Sequence, residues 1–127
     1  MTSKNKILVI DDEPDVVNYL SVFFEDEGFE VVTARDGRDG LAMARSESPD
    51  LITLDITMPR MSGIEVLTNL RRDPDLASIP VVVVTGVANF QNLTTFRGVR
   101  PPEAFMSKPV DRELLLANIR TLLKLES

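Results

Sequence analysis

Val81-Val82-Val83-Val84 places four β-branched residues in a row, with no alternation between apolar and polar positions. So short a run is read as a strand, and one that is apolar on both faces has to be covered on both faces. A parallel sheet sandwiched between helices meets that condition. Ile7-Leu8-Val9-Ile10 and Leu51-Ile52-Thr53-Leu54 have the same character. Phe29 to Ala34, centred on Val31 and Val32, and Ala104-Phe105-Met106 complete five expected strands.

Helical spacing fills the gaps between them. Pro14 suits a first helical turn, and Val17, Leu20 and Phe24 recur at helical spacing to about Asp26, where Gly28 stops the helix. Asp36-Gly37 reads as a turn, and Leu41, Ala42, Ala44 and Arg45 fit a short helix that ends before Pro49. Ser62 and Glu65 form a capping box ahead of the stripe Ile64, Leu67 and Leu70, which Asp73-Pro74-Asp75 ends. Phe90, Leu93 and Phe96 suggest a fourth short helix, built from poor helix formers and closed by Pro101-Pro102. Asp111 caps the last one, with Leu115, Ile119 and Leu122 on one face. Strand and helix thus alternate five times. The expected fold is an α/β, flavodoxin-like three-layer sandwich. Its five-stranded parallel sheet would run in the order 2-1-3-4-5, with five helices, as one domain over residues 1–127.

Composition narrows the chemistry. The 127 residues include no Cys and no His. Disulfides, thiolate or imidazole zinc sites, Ser-His-Asp triads and a histidine base are therefore excluded. A balance of 14 Lys and Arg against 20 Asp and Glu, net charge −6, argues against direct nucleic-acid or anionic-membrane binding. No apolar run approaches the roughly 18 residues of a membrane span, and residues 1–6 lack the apolar core of a signal peptide. A cytoplasmic protein is expected.

The chemistry-bearing residues fall where the strands end. The first strand ends in Asp11-Asp12, the third in Asp55, the fourth in Thr85, and the fifth leads into Lys108. In open α/β sheets the carboxyl ends of the strands open onto the ligand crevice. Asp55 alone could simply start a turn, because Met58-Pro59 and Ser62-Gly63 follow it. The other residues reverse that reading. In the order 2-1-3-4-5 the first and third strands are neighbours, so three carboxylates crowd together and repel. A solvated acidic rim is the plain alternative. A hard cation such as Mg²⁺, which binds through a few carboxylates and keeps room for phosphate oxygens, relieves the repulsion. With Thr85 and Lys108 beside it, a phosphoryl group gains hydrogen-bonding and cationic partners, and Asp55 can act as nucleophile toward it.

These residues resemble the receiver (phosphoacceptor) domain of two-component response regulators. The resemblance rests on Val9-Ile10-Asp11-Asp12-Glu13-Pro14, on Leu54-Asp55-Ile56-Thr57-Met58-Pro59-Arg60-Met61-Ser62-Gly63, on Thr85 after its apolar strand, and on Ser107-Lys108-Pro109. It implies phosphorylation of Asp55 by a histidine kinase or histidine phosphotransfer protein, and a switch of the surface around residues 87–105 toward an unknown output partner. Such a chain is a signalling domain that catalyses only its own phosphorylation and dephosphorylation. The resemblance also implies Mg²⁺ on Asp12, Asp55 and the backbone carbonyl of Thr57, with Asp11 acting through metal-bound water. Thr85 and Lys108 would contact the phosphoryl oxygens, and Lys108-Pro109 would be cis. Phe105 falls where receivers carry a switch aromatic, although a plain core role is equally open.

Two departures stand out. Thr57 and Val87 flank the path of the hydrolytic water, and neither is an acid or amide, so slow self-dephosphorylation is expected. Phe96-Arg97-Gly98-Val99-Arg100-Pro101-Pro102 replaces the usual alanine- and glycine-containing helix end. Other classes fit less well. A flavin mononucleotide protein would need a Ser/Thr/Gly-rich loop after the first strand, and a haloacid-dehalogenase-like phosphatase would need a second Asp where Thr57 stands. The remaining alternative is a receiver-like interaction module that works without phosphorylation.

Overall fold

A computed structural model describes residues 4–86 and 98–125. Five strands, β1 (Lys6–Ile10), β2 (Glu30–Ala34), β3 (Leu51–Leu54), β4 (Val81–Thr85) and β5 (Ala104–Ser107), form one sheet in the order β2-β1-β3-β4-β5. Every neighbouring pair is parallel. Four helices accompany them among the described residues: α1 (Pro14–Asp26), α2 (Gly37–Glu47), α3 (Gly63–Arg72) and α4 (Arg112–Leu122). The sequence pattern suggested five. The additional one, around Phe90, Leu93 and Phe96, lies outside the described residues.

Sequence alternation along the central strands sorts the core into two layers. Leu8, Ile10, Ile52, Leu54 and Val81 join Leu41, Ala44, Val66, Leu67 and Leu70 of α2 and α3 on one side of the sheet. Ile7, Val9, Leu51, Val82 and Val84 join Val17, Leu20 and Phe24 of α1 and Leu115 and Ile119 of α4 on the other. All of β3 and β4 is buried, as expected for strands apolar on both faces. Each such Leu, Ile or Val contributes about 1.5–3 kcal/mol by leaving water.

Caps set where the helices begin. Ser62 Oγ accepts from Glu65 N, and Asp111 Oδ1 accepts from Leu114 N, as their sequence positions indicate. Asp36 is a correction. It is not merely a turn residue, because its Oδ1 accepts from Asp39 N and starts α2 at Gly37, four positions before Leu41. The early glycines permit this. A Cβ on Gly40 would lie 2.7 Å from Ile10 Cδ1, and one on Gly37 would lie 2.8 Å from Val66 Cγ2. The first turn of α2 therefore packs directly on the sheet and on α3. No described helix is long and apolar enough to cross a membrane.

Candidate phosphoacceptor site

The carboxyl ends of β1 and β3 lie side by side, with Ile10 paired to Leu54, so the residues that follow them converge. Oxygens of Asp11, Asp12 and Asp55 lie within 4.8 Å of one another. Asp11 and Asp55 are almost wholly buried, at 2% and 1% exposure, while Asp12 is intermediate. Local hydrogen bonds aim the two buried carboxylates. Asp11 Oδ1 accepts from Glu13 N at 2.9 Å. Asp55 Oδ1 accepts from Thr57 N at 3.2 Å and from Thr57 Oγ1 at 3.4 Å. Gly63 lets α3 begin directly against this turn. A Cβ there would sit 2.2 Å from the Asp55 carbonyl oxygen, closer than any side chain tolerates.

Lys108 reaches the cluster from the end of β5. Its N–H donates to the Thr85 carbonyl at 2.9 Å, and the Lys108-Pro109 bond is cis. Its Nζ lies 3.0 Å from Asp11 Oδ2, 2.6 Å from Glu13 Oε1 and 3.6 Å from Asp55 Oδ2. Thr85, 3% exposed, closes β4 at the same edge, in register with Ser107. Phe105 lies two residues back from that edge, in register with Val83. At 37% exposure it is not a core residue, which removes the plain core role. The acidic pair, Asp55, Thr57, Thr85 and Lys108 thus gather at one mouth. Phe105 lies outside it, and Val87 falls outside the described residues. Sequence reasoning assigned no role to Glu13. Its partner lies 95 positions away, and the only local signal was a third acid in Asp11-Asp12-Glu13.

The charges are unbalanced in a way that invites a cation. Burial, and then the Asp11 charge, push the Asp55 carboxyl up to about 6, against the pull of Lys108 and the Thr57 N–H; Asp12 adds to the rise. For Lys108, burial acts downward. The contacts with Glu13 and Asp11 and the charge of Asp55 outweigh it, so its pKa is raised and the ammonium stays charged. Asp55 Oδ2 is buried without a hydrogen-bond partner among the described residues; the Lys108 contact at 3.6 Å is an ion pair only. A buried carboxylate oxygen left so is costly, and an all-oxygen donor set suits a hard divalent ion. The residues present therefore fit Mg²⁺.

Comparison with known proteins gives the same picture. The family pattern described as "Response regulator receiver domain" matches residues 7–120. The chain is 36% identical to Protein PilH of Pseudomonas aeruginosa over 119 residues, 93% of this chain and 97% of that protein. It is 38% identical to the DNA-binding dual master transcriptional regulator RpaA of Synechocystis over 94% of its own length but only 49% of that regulator. Its fold is similar to that of the chemotaxis protein CheY4 of Vibrio cholerae, with TM-score 0.85 and 28% identity, covering 94% of this chain and 99% of that one. The chain belongs to the response regulator receiver domain family and is a two-component receiver.

Proposed function

We propose that Asp55 is the phosphoacceptor of this receiver and that a histidine kinase or histidine phosphotransfer protein is the donor. The observation that carries this is the buried, unpartnered Asp55 Oδ2 at the strand mouth, facing Lys108 and flanked by Asp11. Asp55 Oδ2 attacks the phosphorus of the donor. The new P–O bond forms as the bond to the donor nitrogen breaks, and the electron pair leaves with the imidazole. Asp12, Asp55 and the Thr57 carbonyl would hold Mg²⁺ with Asp11 beside them, and the ion would supply charge neutralisation for the phosphoryl oxygens. Lys108 and the Thr85 hydroxyl take the remaining oxygens. The positioning asks for no acid–base residue, which suits a chain without His.

The added charge then biases a two-state element. Thr85 and the half-exposed Phe105 lie on adjacent strands, and the surface around residues 87–105 is the output face. A cytoplasmic location and action as one domain over 1–127, catalysing only its own phosphorylation and dephosphorylation, complete the proposal.

Intact-mass analysis after incubation with acetyl phosphate, with and without Mg²⁺, tests the reading. One adduct that depends on Mg²⁺ and disappears in Asp55→Asn is expected. An adduct that survives Asp55→Asn would place the acceptor elsewhere. Failure of any adduct would favour an interaction module that works without phosphorylation.

A further inference from the structure

Resting on the acceptor reading above, we propose that Glu13 competes with the incoming phosphoryl group for Lys108 and so sets how readily the site accepts one. Lys108 Nζ carries three protons. Three carboxylates surround it, and the shortest contact, 2.6 Å, is to Glu13. Asp11 and Glu13 take two of these protons at hydrogen-bonding distance while Asp55 lies at 3.6 Å, so a phosphoryl group on Asp55 shares the ammonium with Glu13 unless Glu13 leaves.

Glu13 is the one able to leave. The Asp11 and Asp55 side chains are 3% and 1% exposed, and each is fixed by a backbone N–H, from Glu13 and Thr57 respectively. The Glu13 side chain is 58% exposed and can swing into water without moving the main chain. Glu13 is the N-cap residue of α1 and its side chain makes no capping hydrogen bond, so no cap to its own helix holds it in place. Glu13 acts through Lys108 and is a positioning residue.

An exposed ion pair is worth little, which sets the expected size at about two- to fivefold. The test is the binding of beryllofluoride, a phosphoryl mimic that needs no transfer step, measured by titration calorimetry at fixed saturating MgCl₂. Glu13→Gln is expected to bind about two- to fivefold tighter than the native protein, with the gap shrinking as NaCl is added, because exposed charges are screened. Asp15→Asn removes the same charge two residues away, from a carboxylate with no Lys108 contact among the ion pairs of the described residues. It is expected to leave the affinity unchanged. Equal or weaker binding by Glu13→Gln would overturn the proposal, as would an equal gain in Asp15→Asn. No binding even by the native protein would overturn the acceptor reading, and this inference with it.

Discussion

Arg71 is a long cation whose side chain is only 2% exposed, and removing it is expected to be the costliest polar substitution in the described structure. Its guanidinium spans two segments distant in sequence. It donates to the carbonyls of Ala77 and Ile79 in the loop before β4, to those of Arg100 and Pro101 ahead of β5, and to Glu103 Oε1 at 2.7 Å. Glu103 Oε1 also accepts from Val81 N at 2.7 Å, and Glu103 Oε2 from Arg100 Nε at 3.0 Å. Arg71→Met fills much of the volume but leaves this set without its centre. Breaking a buried ion pair from one side costs about 3–5 kcal/mol. Here the residue left behind keeps Val81 N–H and Arg100, and the Glu103 side chain is 20% exposed, so about 3 kcal/mol is expected.

Urea unfolding followed by far-ultraviolet circular dichroism measures it. With a slope of about 2 kcal/mol per molar, the midpoint falls by about 1.5 M. Arg100→Ala removes the half-exposed partner and is expected to cost about 1 kcal/mol or less. A pH series adds an independent check. Burial acts upward on the Glu103 carboxyl, but the Val81 N–H and Arg71 outweigh it and hold it below the ordinary range. A depressed folded pKa stabilises above the ordinary carboxylate value, and that stability is lost as pH falls through the depressed one. The difference between native protein and Glu103→Gln should therefore be full at pH 7 and shrink on acidification below about pH 4.5. Beryllofluoride binding, at the opposite end of the strands, should be unchanged in Arg71→Met. An Arg71→Met midpoint no lower than that of Arg100→Ala would refute the reasoning.

Three further outcomes are expected. In metal-free buffer at pH 7, Asp55→Asn should raise stability by about 3 kcal/mol, because its carboxyl is pushed from 3.8 to about 6. A raised folded pKa stabilises fully below 3.8 and stops doing so as pH rises through 6, so melting curves of the two proteins should converge near pH 4. Gly63→Ala should destabilise by about 3 kcal/mol or more, since its Cβ would meet main-chain atoms of Asp55 and Ile56 that cannot step aside; a melting temperature within a degree or two of the native value would contradict this. The phosphoryl adduct should persist for minutes or longer, because Thr57 spends its hydroxyl on Asp55 Oδ1 rather than on an attacking water; loss within seconds, followed by mass, would contradict it.

What the sequence made legible and what it hid divide along one physical line. Strands β1, β3 and β4 were plain because a run apolar on both faces has few alternatives, and the acidic pair and Asp55 were plain because each directly follows such a run, whereas Lys108 was read from Ser107-Lys108-Pro109. The Ser62 and Asp111 caps were equally local signals. The start of α2 was misread because Asp36-Gly37 was read as a turn, whereas Asp36 caps the helix and α2 begins at Gly37. Nothing local could reveal Arg71. It is one of several arginines in the sequence, and its partner Glu103 lies 32 positions away, beyond segment 87–97. Glu13 was hidden in the same way by the 95 positions that separate it from Lys108.

The two hidden contacts stand at opposite ends of the sheet, and that placement has a consequence for signalling. Lys108 sits past the carboxyl end of β5, held by carboxylates of which one is exposed and replaceable. Arg71 and Glu103 sit before the amino ends of β4 and β5, held by a set of bonds in which each oxygen of Glu103 is already engaged. Arg100-Pro101-Pro102, the last three residues of the Phe96 to Pro102 departure from the usual receiver pattern, belong to the pinned end: Arg100 and Pro101 lend their carbonyls to Arg71, and Pro102 is buried. A charge added at Asp55 would therefore act at the carboxyl ends of the strands, while the Arg71 set keeps the amino ends of β4 and β5 pinned.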